Sequence, residues 1–184
     1  KNESETGVVY AVGADLSGRN FDNLNLQNAV FDNADLSNTS FKNTNIDGAR
    51  FVFANLNNSN LLDRTDLSNI NLAGTDLSNV SLKGKDLSGT MLTGADLSGV
   101  ILTEADLSNA ILTSVDLSGK DLTEVILTGV DLSGLDLNSS KLVGVDLSGK
   151  DLTKTIFNHA NFADANLENA NLDHTSFVDV DLTK

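Results

Sequence analysis

Residues 66–110 read DLSNI-NLAGT-DLSNV-SLKGK-DLSGT-MLTGA-DLSGV-ILTEA-DLSNA, nine consecutive units of five in which Leu always takes the second place. A period of five matches neither the 3.6 residues of a helical turn nor the two of a strand, so either element would smear these leucines around its surface. The chain must instead turn once per unit. Outward from this stretch, the same apolar centre recurs at Leu16, Phe21, Leu26, Phe31, Leu36, Phe41, Ile46, Phe51 and Leu56, and onward to Leu182. That makes about 33 tandem repeats, the signature of a solenoid. The two runs are one residue out of phase, and Leu61 and Leu62 compete for the junction between Asn57 and Leu67.

Each place in the unit has its own chemistry. Of the 14 glycines, all but Gly7 and Gly13 fall two residues after a centre, where Asn is the main alternative, as at Asn38, Asn69 and Asn109. Gly and Asn tolerate the positive φ that the third residue of a type II turn requires. Two residues before a centre the side chain is small or compact (Ala34, Ala54, Thr65, Ala95, Val115), which marks a second inward position. Immediately before the centre stands Asp or Asn, as in Asp76, Asn71 and Asn161. What carboxylate and carboxamide share is an acceptor oxygen suited to the backbone N–H groups of a tight turn.

The unit A-(D/N)-L-x-x, present as ADLSG at 14–18 and 95–99, ADLSN at 34–38 and 105–109 and ANLEN at 165–169, resembles that of the pentapeptide-repeat proteins. The resemblance covers residues 14–184 and implies an all-β fold, a right-handed quadrilateral β-helix with four repeats per coil. Periodicity alone does not supply the number four. A super-period of ten, with DLS recurring at 66–68, 76–78, 86–88 and 96–98, favours an even number of sides. The expected organisation is an N-terminal segment or cap at 1–13, with Val8, Val9, Tyr10 and Val12, followed by the β-helix with its one-residue slip at about 57–66.

Composition restricts function. The chain has 184 residues and 40% of them are apolar, enough for a core, but it has neither Cys nor Pro and so no disulfide frame or thiolate metal site. A net charge of −14 opposes nucleic acid as a ligand, because phosphate binding needs Lys and Arg. No apolar run approaches the roughly 18 residues of a membrane-spanning helix, so the reading is a soluble protein. Its start at Lys1 points to processing or excision from a longer chain and leaves cytoplasm, periplasm and organelle lumen equally open.

Breaks in the repeat are where a site could be written. The slip reads as a β-bulge within one corner. Phe53 falls at an outward corner beside Val52, and with Val30 forms the first candidate contact patch; Met91, Ile101 and Ile111, apolar at the Asp/Asn position, form the second. Lys85, Lys120 and Lys150 take the inner position, where the expected outcome is a buried stem with its head escaping between coils toward carboxylates, and Arg19 breaks the rule in the same manner. With 20 residues per coil, Asp66, Asp86 and Asp106 would form one acidic column, and Asp76, Asp96, Asp116 and Asp136 another. Stacked carboxylates suit Ca²⁺, but their interchange with Asn speaks against a metal, and neither a metal nor a cofactor is expected. His159 and His174 stand in no nucleophile motif.

These features favour a non-enzymatic structural or protein-interaction module with an acidic surface and an unidentified protein partner, monomeric or dimeric. The resemblance implies an alternative. Some pentapeptide-repeat proteins resemble B-form DNA in shape and charge and bind bacterial type II topoisomerases such as gyrase, conferring fluoroquinolone resistance. A third reading is ice or surface binding through Thr and Ser columns, such as Thr93 with Thr113 and Thr103 with Thr123.

Overall fold

The computed structural model describes residues 2–3 and 7–183, with side chains from residue 7 onward. Parallel bridges join Asp15 to Asp35, Asn20 to Ser40, Asn25 to Asn45 and Val30 to Arg50, so four successive repeats each pair with the repeat four units on. A coil is therefore 20 residues and has four sides. Only one residue per side is bridged, which is why, among the described residues, regular strands are confined to β1 (Asn2–Glu3) and β2 (Val9–Tyr10), an antiparallel pair. At strand spacing of about 4.8 Å, some nine coils make a rod roughly 40 Å long.

The corners are type II turns. The N–H three residues after most centres returns to the centre's carbonyl, as in Ala29 to Leu26 (3.0 Å), Ala49 to Ile46 (2.8 Å) and Ala110 to Leu107 (2.8 Å). The residue between has positive φ, whether Asn28 (58°), Gly48 (66°) or Glu104 (63°). The Asp/Asn position performs the bonding its chemistry suggests. Ser37 N–H donates to Asp35 Oδ1 (2.9 Å), Ala73 N–H to Asn71 Oδ1 (2.9 Å) and Ser98 N–H to Asp96 Oδ1 (2.8 Å).

Inside, the centres from Leu26 to Phe162 are sealed from solvent, with Ala and Val filling much of the second inward column, while Leu172 and Leu182 in the last coils are exposed. Buried Thr hydroxyls there are satisfied by carbonyls, Thr90 Oγ1 donating to Leu67 O (2.9 Å) and Thr155 Oγ1 to Leu132 O (2.9 Å). The phenylalanine centres come in stacked pairs one coil apart: Phe21 on Phe41 at 5.0 Å, Phe31 on Phe51 at 5.4 Å and Phe157 on Phe177 at 5.4 Å. Coil spacing suits offset ring stacking, whereas Phe162, whose column neighbours are Leu142 and Leu182, packs edge-on against Phe157 at 5.0 Å.

Several expectations need correction. The ladder begins before residue 14: Tyr10 bridges Val30, Ala11 and Gly13 N–H donate to Val30 O and Asp32 O (both 2.8 Å), and Gly13 takes the corner conformation. Residues 9–13 are thus a rung, and of the expected cap only residues 2–3 and 7–8 precede the ladder among the described residues; residues 1 and 4–6 lie outside them. The slip is not a β-bulge. It is a 3₁₀ turn, Asn60–Asp63, capped by Ser59, whose side chain accepts from Leu61 N–H. A bulge would leave one leucine outside, whereas the tighter turn buries both Leu61 and Leu62. Thr65, just beyond it, is exposed instead of inward. The inner lysines are half-buried, but Lys85 and Lys150 donate to backbone carbonyls, Arg64 O (2.8 Å) and Val130 O (3.1 Å), and not to carboxylates. A carbonyl left between coils lies within reach of the buried stem, which a surface Asp does not. Arg19 is exposed.

Candidate interaction face

The bridges sort the Asp/Asn positions into four faces. One ladder, Tyr10–Val30–Arg50–Asn71–Met91–Ile111, runs unbroken from residue 10 to residue 111 and defines the first face. The second carries Asp15, Asp35, Asn55, Asp76 and Asp96; the third Asn20, Ser40, Ser81 and Ile101; the fourth Asp66, Asp86 and Asp106. Asp116 and Asp136 follow on the second face at 20-residue intervals, both exposed.

This sorting redistributes the candidate residues. Val30, Met91 and Ile111 share the first face, and Val52 and Phe53 form its corner in the coil between them. Ile101 stands two faces away, on the opposite side of the rod. The two proposed patches are therefore largely one strip, with Ile101 outside it. Tyr10 belongs to the same ladder and Ile126 breaks the fourth-face acidic column. Both are exposed, and a search for apolar residues at the Asp/Asn position would have found them.

Phe53 is the strip's most exposed large side chain, at 65%. Its φ of 54° places a bulky residue in the left-handed region that Gly or Asn occupies at most other corners. The ring lies across Gly74 in the following coil, where an added Cβ would fall 2.1 Å from Phe53 Cε1. Glycine at 74 thus supplies the seat, and the ring's outer face stays open. Beside it Arg50 pairs with Asp32 at 2.6 Å, and Val52 N–H donates to Asp32 Oδ1 (3.3 Å). Backbone bonds hold this part of the wall tightly, Phe51 N–H to Asn71 O (2.7 Å) and Phe53 N–H to Ala73 O (2.9 Å).

Acidic faces lie on either side. On the fourth, the Ser68 N–H and hydroxyl hold the Asp66 carboxyl below its ordinary value; on the second, the Ser118 hydroxyl and N–H do the same for Asp116. Local turn bonds thus favour the ionised form of these two carboxyls. Among the described residues, no three His, Asp or Glu side chains converge as a metal site would need. His159 and His174 are exposed at corners, the former 3.8 Å from Asp179. The Thr pairs do stack one coil apart, Gly94 N–H donating to Thr113 O and Glu104 N–H to Thr123 O. Their columns are interrupted by Ala73 and Ser133, and by Lys83 and Val143.

Across the slip the only bridge among the described residues is Arg50–Asn71, on the first face, at a spacing of 21. Elsewhere side chains take over. Asn60 Oδ1 accepts from Phe41 N–H (2.6 Å), and Arg64 Nη1 donates to Thr44 O (2.9 Å) and Phe41 O (3.3 Å). A cleft of about 560 Å³ opens at this seam, lined by Leu56, Asn58, Asp63, Asp76, Lys83 and Lys85 among others.

The family model for pentapeptide repeats matches at residues 12–48, 25–61, 62–99, 86–119, 117–153 and 146–183. The chain is a pentapeptide-repeat protein. Members of this family fold as right-handed quadrilateral β-helices and are generally non-enzymatic structural modules, which fixes the hand of the coil described above. Among solved structures this pentapeptide-repeat chain is similar to HetL, involved in heterocyst differentiation regulation in the cyanobacterium Nostoc sp. strain PCC 7120, at 25% identity over 91% of this chain and 87% of that one, with a TM-score of 0.34. It is also similar to QnrB1, a plasmid-mediated fluoroquinolone resistance protein, at 22% identity over 92% and 90% with a TM-score of 0.40. A pentapeptide repeat protein of the Arabidopsis thaliana thylakoid lumen matches at 26% identity over 68% and 66%, with a TM-score of 0.30. Among curated protein sequences no match is found. No helix in the described residues is long and apolar enough to cross a membrane.

Proposed function

We propose that the protein is a non-catalytic binding rod that engages a protein partner through its first face. The observation that carries this reading is Phe53, an exposed ring held at positive φ on a glycine seat, on the face where Val30, Met91 and Ile111 replace the turn-forming Asp or Asn. Backbone strain of this kind persists where the surroundings enforce it, and a bulky residue there gives up the stability that Asn or Gly would provide. Repeat proteins commonly bind through the extended surfaces their stacking creates. Pentapeptide-repeat proteins are generally non-enzymatic structural modules, which supports a role without turnover. The DNA-mimic reading is less well supported, because an apolar strip interrupts the negative surface on one side. A photo-reactive residue placed at position 91 should cross-link the partner in extracts of the source cells, and one placed at position 101 should not. Equal labelling from both positions would refute the assignment of the first face.

A further inference from the structure

Resting on that reading, we infer that the partner presents a basic amphipathic α-helix, laid along the rod with its apolar stripe on the first face and its cationic flanks over the two neighbouring faces. From Val30 to Ile111 the strip spans four coil steps, about 19 Å at strand spacing. A helix of roughly 13 residues has that length, and its turn of about 5.4 Å is close to the rung spacing, so one apolar residue per turn meets about one rung.

The wall excludes an added strand. Strand addition needs an edge with free N–H and C=O groups, and here Met91 N–H already bonds Ile70 O (3.0 Å) while Met91 O accepts from Leu72 N–H (2.8 Å). Ile111 is bonded in the same way, to Thr90 O and from Leu92 N–H. A partner on this face must bring side chains from an element whose own backbone is satisfied, and a helix is such an element.

Charge selects the flanks. Asp86 and Asp106 lie on the fourth face and Asp96 and Asp116 on the second, on both sides of the strip, while the strip's own cation, Arg50, is neutralised by Asp32. Lys and Arg bordering an apolar stripe complement this pattern. A second copy of the chain does not, since each copy carries −14. A strip about 19 Å long and one side of the rod wide, on the order of 200 Å², falls short of the roughly 800 Å² per partner of a standard interface, which points to a peptide-sized element held in a salt-sensitive manner.

The test uses the full chain and three synthetic 14-residue peptides: one with Leu at positions 1, 4, 8 and 11 and Lys or Arg elsewhere, one of the same composition scrambled to remove the stripe, and one with Glu replacing the cations. The inference expects saturable binding of the first alone, with amide NMR shifts centred on residues 52–53, 73–74, 91 and 111. Binding should weaken roughly ten-fold in Phe53→Asn and again in Ile111→Asn. Phe53→Asn should melt no earlier than the parent, so lost binding is not lost folding. Equal binding of the scrambled peptide, or shifts centred on Ile101, overturns the inference. If the striped peptide fails to bind while position 91 still cross-links a partner, the helix is wrong and the first-face reading stands. If position 91 cross-links nothing, both fall.

Discussion

Phe53 concentrates the tension between stability and recognition at the scale of one residue. Left-handed backbone costs a side chain with a Cβ about 1–2 kcal/mol, less for Asn. Phe53→Asn should therefore stabilise the fold by about 0.5–1 kcal/mol, read from denaturant midpoints, while reducing cross-linking from position 91. Gly74→Ala should destabilise by about 2 kcal/mol or more, because the new Cβ meets the ring and the residue is itself left-handed, at φ 65°. Phe53→Gly should rescue part of that loss, the part due to the ring, since Asn at such a corner also lies within 2.5 Å of an added Cβ in the next coil, as Asn69 does at Gly89. The carboxylates give a second residue-level test. Asp66 and Asp116 are held below their ordinary values by Ser68 and Ser118. Their contribution is complete above the ordinary carboxylate range and is lost as pH falls through the depressed values, so stability should hold to about pH 5 and decline below about pH 4. A pH series of denaturant midpoints, with carboxyl NMR titrations, checks the sign. The outward corner of Phe53 and the turn bonding of Asp and Asn were legible in the sequence, because each follows from one place in the repeat. The seat on Gly74 was not, since it needs both the coil number and the slip, which change a spacing of 20 to 21.

At the scale of elements, the main break within the coils among the described residues is the 3₁₀ turn Asn60–Asp63 and the seam it opens. Arg64 bonds two carbonyls of the preceding coil there. Charged hydrogen bonds of this kind are worth about 1.5–3 kcal/mol. Arg64→Ala should thus lower stability by about that amount in chemical denaturation, more than Arg19→Ala at an exposed position. Amide exchange should show the same asymmetry: Leu56 and Asn58, which line the cleft, exchanging faster than Phe51 and Phe53, which are bonded across the slip. The sequence placed the slip between Asn57 and Leu67 but misassigned its form, because one extra residue is compatible with either a bulge or a turn. Burial of both Leu61 and Leu62 decides for the turn, and adjacency alone could not reveal it.

For the whole molecule, repetition makes the fold legible and the function obscure. Periodicity showed the core and corners, but which apolar residues share a face depends on four sides per coil. That number joins Val30, Phe53, Met91 and Ile111 into a strip and sends Ile101 to the far side. The acidic columns are committed to turn bonding through residues that Asn can replace, so excess chelator should leave the melting temperature unchanged; a large fall would revive a Ca²⁺ role. Complex formation on a face bordered by such columns should weaken steeply as salt rises, since exposed charges are screened beyond about 10 Å at 0.1 M. The most direct test of the central claim is a hydrogen-exchange footprint of the chain bound to its cross-linked partner. The first-face assignment predicts added protection at residues 52–53, 73–74, 91 and 111 with the third face unchanged. Protection centred on residues 81, 101 and 121 would contradict it.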